Sequence, residues 1–432
     1  MEVAEAVVAG AGPAGCAAAL ALARRGTHVT LVEPRPERGG RFAGEWLHPA
    51  GVAALARLGV SLPSGAFVEK RGFLVHPGAG GTPIELPYGQ GGAVAAPHHV
   101  FAGALLAQAR RTGSVTVVLG PRVTDATARG ACRVAGELLH VPLVVGADGR
   151  NSAVRRALYR DAAPPVTLSH TAGLVLRDVP LPTEGYGHIF LGGPGPALVY
   201  RIAPALVRVC LDVPLSRPGA GQVRAYLEGR FTGHLPAELA EAFRRGVRAG
   251  DVQWSAGQFR RRACFGRGRV ALVGDAAGCG HPLAAQGMTN AVLDAEGLAA
   301  ATDLEGYRKA RTQASRVPER VAAAVHRVLT GHDRASLALR HSLFALWRGD
   351  AHERARSMRL LALEETRRGA LGGSVAHIAA GALAYAVRDE RGDVLDSVAT
   401  VTGLANWLLW LAGSHVGVPP RRRVRKVAVM GC

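Results

Sequence analysis

The feature that most constrains this chain is a glycine pattern near its start, Gly10-x-Gly12-x-x-Gly15. It stands between a short apolar segment typical of a buried strand and an Ala- and Leu-rich segment typical of a helix. The first two glycines allow a tight turn with close approach of a ligand, and the third lets the helix pack on the strand. We expect a pyrophosphate at the helix N-terminus, where free N–H groups and the helix dipole favour an anion.

A second strand pattern, Thr27 to Glu33, follows the helix and ends on an acid. A carboxylate in this position can bind both hydroxyls of an adenosine ribose. The strand–helix–strand opening predicts an α/β fold that starts as a doubly wound, Rossmann-like domain. The alternative is a glycine-rich turn that binds no ligand.

Two later motifs distinguish between the dinucleotides that such a domain can bind. Gly146-Ala-Asp148-Gly149 ends one buried strand pattern, and Gly274-Asp275 ends another. A carboxylate at the carboxyl end of such a strand can bind the ribityl chain of a flavin. The helix predicted from Gly287 would direct its positive end at the flavin pyrimidine ring. A surface Asp-Gly turn is the alternative for the first motif, but the three motifs in this order predict FAD.

The middle of the chain has a different pattern, because short strands there are separated by Pro and Gly, which predicts a mostly antiparallel sheet. The nucleotide-binding domain is therefore interrupted and resumed. The predicted organisation has six segments: an FAD-binding domain in three parts (1–71, 93–165 and 256–315), a substrate-domain hairpin (72–92), a substrate-binding β-sheet domain (166–255) and an apolar C-terminal helical region (316–432).

Composition limits the kinds of partner that the protein is expected to bind. The net charge is +19, but the arginines are scattered and no nucleic-acid-binding motif is present, so we expect no nucleic acid. The six cysteines have no metal-ligand spacing, so we expect no metal, and the start of the chain has no secretory pattern, so we expect a cytoplasmic protein.

The segment 399–418 lacks charged residues and precedes a basic run at 419–426. This arrangement predicts a peripheral or monotopic protein at an anionic membrane surface; the alternative is a buried helix with a solvated tail.

The three motifs together resemble those of the FAD-dependent monooxygenases of the p-hydroxybenzoate hydroxylase type, and two longer segments resemble the squalene epoxidase branch of that group. The segment from Arg41 to Gly51, RFAGEWLHPAG, is similar to the branch pattern R-x-x-G-E-x-L-Q-P-G-G. The segment Gly280-His281-Pro282-Leu283, with Gly287-Met288-Thr289, is similar to H-P-L-T-G-x-G-M-T. The resemblance covers nearly the whole chain.

The resemblance implies the cofactor and its chemistry. Reduced FAD would form a C4a-hydroperoxide with O2 and transfer one oxygen atom to a double bond of a hydrophobic isoprenoid or prenylated aromatic substrate. Electrons would come from NAD(P)H, directly or through an external reductase. The residues that the motifs and the resemblance assign to FAD are Gly10, Gly12, Ala14, Gly15, Glu33, Arg41, Val123, Asp148, Gly274, Asp275, Pro282, Gly287, Met288 and Thr289.

Two polar residues are candidates for a catalytic role. His281 would act near the flavin or cap the loop before Pro282, and Glu45 would hydrogen-bond near the flavin or pair with Arg41. The substrate candidates are Phe73, Phe190, Leu198 and Tyr200, which at strand periodicity are equally core residues.

The chain also departs from the branch pattern: His48 stands where the branch has Gln, and Phe73 where it has Tyr. The substrate expectation therefore extends beyond squalene. Two other activities remain open on the same motifs, an aromatic-ring hydroxylase and a flavin-dependent reductase of isoprenoid double bonds.

Overall fold

The computed structural model describes residues 4–35, 42–78, 81–160, 163–216, 219–388 and 394–413. Arg41 and the basic run at 419–426 lie outside these ranges. The strands are β1 (Ala6–Ala9), β2 (Val29–Glu33), β3 (Trp46–Leu47), β4 (Val68–Lys70), β5 (Gly72–His76), β6 (Ile84–Pro87), β7 (Ala93–Ala95), β8 (Val115–Leu119), β9 (Val123–Thr124), β10 (Ala131–Val134), β11 (Glu137–His140), β12 (Leu143–Gly146), β13 (Val166–Arg177), β14 (Tyr186–Phe190), β15 (Ala197–Ala203), β16 (Leu206–Pro214), β17 (Gln253–Phe259), β18 (Gly266–Arg267) and β19 (Val270–Leu272). The helices are α1 (Pro13–Ala23), α2 (Pro49–Arg57), α3 (His98–Arg111), α4 (Ala153–Leu158), α5 (Val223–Phe231), α6 (Ala237–Ala249), α7 (Gly287–Ala300), α8 (Leu304–Thr330), α9 (Arg334–Gly349), α10 (Ala351–Leu361), α11 (Arg368–Arg388) and α12 (Val394–Ala412).

A six-stranded sheet, in the order β18-β19-β12-β1-β2-β8, forms the nucleotide-binding part. All neighbours in it are parallel except β18, which runs antiparallel to β19. The strands are continuous apolar runs, as expected of a parallel sheet covered on both faces. Helix α1 is buried along most of its length because it packs between this sheet and α7. The predicted α/β fold is confirmed.

A seven-stranded sheet, in the order β17-β13-β16-β15-β14-β5-β6, lies beside the first. It is antiparallel except where β14 pairs with β5, so the predicted mostly antiparallel sheet and its hairpin β5–β6 are confirmed. One face packs against α5 and α6, two helices that the sequence reading did not predict. The residues of β16 on that face are Val207, Val209, Leu211 and Val213, and those on the opposite face are Arg208, Cys210 and Asp212.

Two three-stranded sheets, β11-β10-β9 and β3-β7-β4, complete the described strands. The second of them joins the two large sheets. Its strand β3 carries Trp46, whose ring stacks on Phe73 of β5 at a centroid distance of 4.7 Å. The segment around Glu45 is therefore held against a face of the seven-stranded sheet.

The C-terminal region is helical, as predicted. Helices α8 to α12 pack on one another and on the β14-β5-β6 end of the seven-stranded sheet. The predicted apolar segment at 399–418 is described as far as residue 413, where it belongs to helix α12, whose apolar part is Ser397–Ala412. Residues 414–418 lie outside the described ranges, and contact of this segment with a membrane surface stays a prediction. Among the described residues, the segment Arg368–Val387 of α11 is the one long and apolar enough to cross a membrane, by length and composition alone.

Candidate active site

A cavity of about 740 Å³ lies between the two large sheets, at the carboxyl ends of β1, β2 and β12. Ligands of open α/β sheets bind at this edge. One wall comes from the nucleotide-binding part, and we call it the nucleotide wall; it consists of the turn after β1, the end of β2, the turn after β12 and the loop from Asp275 to the start of α7. The other, the sheet wall, consists of residues of β13, β15, β16 and β17 with the segment Phe42–Trp46.

The turn after β1 is fixed by contacts that only glycine permits. Gly10 has φ +99°, and a Cβ added there would lie 2.8 Å from the carbonyl oxygen of Ala147. A Cβ on Gly15 would lie 1.7 Å from the carbonyl oxygen of Gly10, so α1 crosses β1 in direct backbone contact. The first turn of α1 therefore opens into the cavity, and Gly12, Pro13 and Ala14 line it. Its free N–H groups form an anion site.

Glu33 closes this turn from the neighbouring strand. Its Oε2 accepts a hydrogen bond of 2.8 Å from the N–H of Ala11, and its Oε1 accepts one of 3.1 Å from the N–H of Arg35. The carboxylate lines the cavity beside the start of α1. It thus fixes the glycine turn and faces the place where a ribose would follow a pyrophosphate.

Two buried oxygen atoms on the nucleotide wall lack a partner. Asp148 uses Oδ2 to accept from the N–H groups of Ala153 and Val154 at the start of α4, which leaves Oδ1 free. Oδ1 of Asn290, in the first turn of α7, is also free. Buried acceptors are normally satisfied, so a ligand with hydroxyl or N–H donors fits here. FAD offers ribityl hydroxyls and a flavin N–H group as donors, so it suits these free acceptors of the cavity.

The loop that carries Asp275 is held from behind by a buried ion network. Arg262 donates to the carbonyl oxygens of Gly274 and Gly278 at 3.0 and 2.8 Å, and it pairs with Asp294 at 2.5 Å. Asp294 also accepts from the N–H of Gly274 at 2.7 Å. These groups are buried, so the loop is fixed before any ligand binds.

Asp275 itself faces the cavity and lies 3.4 Å from Nε of Arg150. The carboxylate that the sequence assigns to the flavin is therefore part of an ion pair at the cavity surface.

The sheet wall carries a buried ion pair. Arg208 binds Glu45 through two hydrogen bonds of 2.7 Å, and the hydroxyl of Tyr200 lies 3.4 Å from the same carboxylate. Glu45 thus pairs with Arg208 in the structure; its alternative partner, Arg41, is outside the described residues. Burial raises the pKa of Tyr200 well above its usual value and that of the Cys210 thiol to about 12, so both stay neutral at the cavity surface.

His281 links the two walls. The N–H of Leu283 donates to its Nδ1 at 3.3 Å, so its Nε2–H donates to Oγ of Ser169 at 2.8 Å. Ser169 in turn donates to Asp212. Burial lowers the pKa of His281 to about 3, so the ring is neutral and both its nitrogens are occupied. The geometry gives His281 the capping contact that the sequence offered as its second role.

His326 of α8 lies against this link, with its ring 3.9 Å from that of His281. The ligand atoms of Asp212, His281 and His326 all lie within 4.8 Å of one another, a spacing that could hold a metal ion. Nε2 of His281 is nevertheless engaged by Ser169, so one of the three donors is already used.

His48 anchors the segment behind the cavity. Its Nε2–H donates to the carbonyl oxygen of Ala284 at 3.1 Å, so its Nδ1 accepts from the hydroxyl of Tyr88 at 2.8 Å. The same hydroxyl accepts from Nε1 of Trp46 at 3.0 Å. Burial lowers the pKa of His48 to about 4, and both nitrogens of the neutral ring take part in these hydrogen bonds. The network fixes Trp46 as a cavity side chain.

The structure brings most of the predicted site residues to one cavity. Of the residues assigned to FAD, those that line it are Gly10, Gly12, Ala14, Glu33, Val123, Asp148, Asp275, Pro282, Gly287 and Met288. Gly15, Gly274 and Thr289 lie behind this surface, and Thr289 accepts the N–H of His48. Glu45 and His281 also line the cavity.

The four substrate candidates divide evenly. Leu198 and Tyr200 line the cavity. Phe73 lies behind Trp46, and Phe190 belongs to the opposite face of the sheet, packed toward α5 and α6. Neither residue reaches the cavity surface. The side chain of Phe190 points to the other face of the sheet, since successive strand residues alternate between faces, and Trp46 covers the ring of Phe73.

Several cavity residues were missed from the sequence: Phe42, Trp46, Arg150, Thr171, Cys210, Asp212, Ser255, Leu283 and Asn290. The sequence pattern did carry a signal for two of them, Cys210 and Asp212. The alternation Val-Arg-Val-Cys-Leu-Asp-Val from Val207 to Val213 places Arg208, Cys210 and Asp212 on one strand face. Such a polar face normally meets solvent, but here Arg208 and Asp212 are only 4% and 5% exposed.

Comparison with known proteins gives two overlapping family matches. A family model described as squalene epoxidase matches residues 140–366, and one described as FAD dependent oxidoreductase matches residues 5–174. The second match confirms FAD as the predicted cofactor. The chain is similar to squalene monooxygenase of Mus musculus, with 29% identity over 312 residues, and to squalene epoxidase erg1 of Aspergillus fumigatus, with 30% identity over 318 residues.

Each of these alignments covers 67% of the present chain, and they cover 53% of the mouse protein and 64% of the fungal one. The chain thus spans about half the length of the mouse protein. Among solved structures, p-nitrophenol 4-monooxygenase of Pseudomonas putida superposes with a TM-score of 0.68 at 22% identity, over 84% of this chain and 97% of that one. This likeness shows a shared fold.

Proposed function

Because a squalene epoxidase family model covers more than half of this chain, the protein belongs to the squalene epoxidase family, and we propose that it is an FAD-dependent monooxygenase that epoxidises a double bond of a hydrophobic isoprenoid or prenylated aromatic substrate. The cofactor activates O2 when it is bound and reduced. The protein's own residues bind that cofactor, exclude water and position the alkene.

The residues of the nucleotide wall would hold FAD. The start of α1 meets the pyrophosphate, Glu33 meets the adenosine ribose, and Asp148, Asp275 and Asn290 meet the remaining polar groups. The unsatisfied oxygens of Asp148 and Asn290 support this assignment, because a bound ligand with donors would satisfy both.

The observation that carries the proposal is that one cavity is shared by the nucleotide wall and an apolar part of the sheet wall. Leu198, Tyr200 and Trp46 line that part, and Leu283 of the nucleotide wall also lines the cavity. An alkene bound against these side chains would face the cofactor across a space from which water is excluded. A dry, shaped space is what transfer of an electrophilic oxygen to a double bond requires.

The proposed reaction is tested by incubation of the reduced, FAD-loaded protein with ¹⁸O2 and candidate isoprenoids and prenylated aromatics, followed by mass analysis. We expect a product heavier by one ¹⁸O atom, and none from the Gly12→Trp variant, whose turn cannot admit a cofactor. Addition of two hydrogens without O2 uptake would replace the proposal with a reductase, and a ring-hydroxylated product would replace it with a hydroxylase.

The source of electrons belongs to the same proposal. We expect NAD(P)H to reduce the cofactor, directly or through an external reductase, because no second dinucleotide motif follows the first in the sequence. NADPH oxidation measured with and without an added reductase distinguishes the two routes.

We further propose that the protein lies at a membrane surface. Exposed apolar side chains lie on α11 and α12, and Val387 and Leu409 are more than 70% exposed. We expect flotation with vesicles of phosphatidylcholine and phosphatidylglycerol, reduced in the double variant Val387→Ser, Leu409→Ser. Leu138→Ser is the matched control, because Leu138 is an exposed leucine on β11. Equal flotation of all three proteins would contradict a role for this surface.

A further inference from the structure

The sheet wall of the cavity changes from polar to apolar from strand to strand. Its strand residues, in the order in which the strands pair, are Ser255 on β17, Thr171 on β13, Asp212 and Cys210 on β16, and Leu198 and Tyr200 on β15. Neighbouring strands lie about 4.8 Å apart, so these four strands span roughly 14 Å. The wall therefore has a polar end at β17 and β13 and a more apolar end at β15, where the carboxylate of Glu45 is already paired with Arg208.

One group at the polar end has no partner. Asp212 accepts from Ser169, and Ser255 lies 3.5 Å from Nη1 of Arg150. Thr171 stands directly between them, paired with Asp212 on one side and Ser255 on the other. Its side chain is only 8% exposed, its Oγ1 makes no hydrogen bond, and it lines the cavity. A buried hydroxyl in this condition is costly, so it is expected to bind a ligand group.

The position of Thr171 points to the substrate as that ligand. Among the described residues, the other two buried cavity atoms without a hydrogen bond, on Asp148 and Asn290, belong to the nucleotide wall. Thr171 belongs to the sheet wall, on the same surface as the apolar Leu198 and Tyr200.

We propose that the substrate carries a hydroxyl or carbonyl oxygen that hydrogen-bonds to Thr171, while its isoprenoid chain lies on the apolar end toward Leu198, Tyr200 and Trp46. The substrate class is then an oxygenated isoprenoid rather than a plain hydrocarbon. This inference rests on the proposed function, because it assumes that the cavity receives an isoprenoid.

The test is equilibrium binding of two probes to the FAD-loaded protein, measured by the change in the flavin absorbance spectrum. The two probes are geranylgeraniol and the hydrocarbon in which its hydroxyl is replaced by hydrogen. We expect the wild type to bind the alcohol about tenfold more tightly, the difference that one hydrogen bond supplies. Thr171→Val should reduce that ratio to about one by weakening the alcohol alone, and Thr171→Ser, which keeps the hydroxyl, should restore it.

Thr167→Val is the matched control, because Thr167 lies on the same strand but does not line the cavity. It should leave the ratio unchanged. The dissociation constant of FAD is measured for every variant. Equal affinity of the wild type for both probes, or no binding of either, would overturn the inference. So would a Thr171→Val variant that weakens FAD and keeps the tenfold ratio, because the hydroxyl would then serve the cofactor. Binding needs no turnover, so failure of the oxygenation reaction leaves this result readable.

Discussion

The nucleotide wall of the cavity is built largely from backbone, whereas the sheet wall is built from side chains that come from four strands. On the first, Gly10 and Gly15 bring a strand and a helix into direct contact. On the second, Glu45 pairs with Arg208, and Ser169 bonds to His281 of the opposite wall; these partners are separated by 163 and 112 residues of sequence. At Gly10 and Gly15 the backbone leaves no room for an added carbon, whereas on the sheet wall the loss of one partner leaves the other buried and unpaired.

The largest expected effect is on the backbone wall. Gly15→Ala would place a carbon 1.7 Å from the carbonyl oxygen of Gly10, and no flexible side chain is there to move. We expect the variant to lose FAD and to be destabilised by about 4 kcal/mol or more, in the exceptional range for one substitution. FAD content and thermal unfolding measure this.

Gly103→Ala is the matched control for that substitution. Gly103 is an exposed position of α3 with no atom within 4 Å of an added Cβ, so the variant should be as stable as the wild type or slightly more so. Full FAD content in Gly15→Ala would contradict the close backbone contact and end the distinction between the walls.

The next effect is on the side-chain wall. Glu45→Gln leaves the Arg208 cation buried without its carboxylate, which typically costs about 3–5 kcal/mol. We expect urea unfolding to show this loss and the double variant Glu45→Gln, Arg208→Met to recover part of it. Glu241→Gln breaks an exposed pair with Arg245 and should change the stability by less than about 1 kcal/mol. Equal losses of stability in Glu45→Gln and Glu241→Gln would mean that breaking the buried pair costs no more than breaking an exposed one.

The third prediction concerns pH and the neutral histidines that join the walls. The pKa of His48 is lowered to about 4 by burial, whereas an unfolded histidine titrates near about 6.5. Between these values the unfolded chain binds the proton and the folded chain does not, so stability falls as the pH is lowered from about 6.5 to 4. The loss from His48 would be about 3 kcal/mol.

Unfolding free energies at pH 7 and pH 5 measure this effect. His48→Gln should reduce the loss on acidification, and His352→Gln, at an exposed position of α10, should leave it unchanged. An identical pH dependence of the wild type and His48→Gln would show that the buried imidazole plays no part.

The smallest effect is in the loop of the nucleotide wall that precedes α7. Ala285 lines the cavity with φ +52°, in the left-handed region that favours glycine. Ala285→Gly should raise the stability by about 0.5–1 kcal/mol, because the relief of strain exceeds the added freedom of the unfolded chain. A lower melting temperature for Ala285→Gly would mean that its methyl group contributes more by packing on the cavity surface than its backbone costs.

The same contrast explains how far the sequence could be read. The nucleotide wall follows from contacts within short motifs, so Gly10, Gly12, Glu33 and Asp275 could be placed in advance. The sheet wall depends on which strands pair and in what register. The alternation in β16 showed that Arg208 and Asp212 share a face, but not that this face is buried.

Thr171 carried no signal at all, because a single threonine in a strand pattern is indistinguishable from a surface residue until its neighbours are known. The same limit applies to Phe73 and Phe190. Their strands were recognised, but which face of the sheet would meet the cavity was decided by Trp46 and by helices α5 and α6.

The strand-by-strand change of polarity also bears on how such an enzyme can acquire a new substrate. Thr171 on β13 and Leu198 on β15 are two strands apart, or roughly 10 Å, so each would contact a different part of a long ligand. In the proposed binding mode, a substitution on β13 would alter the preference for the oxygen-bearing end of the substrate, and a substitution on β15 would alter the preference for its chain length. Because both positions belong to the seven-stranded sheet and not to the glycine turn, substitutions there would change specificity without altering the turn that would hold the cofactor.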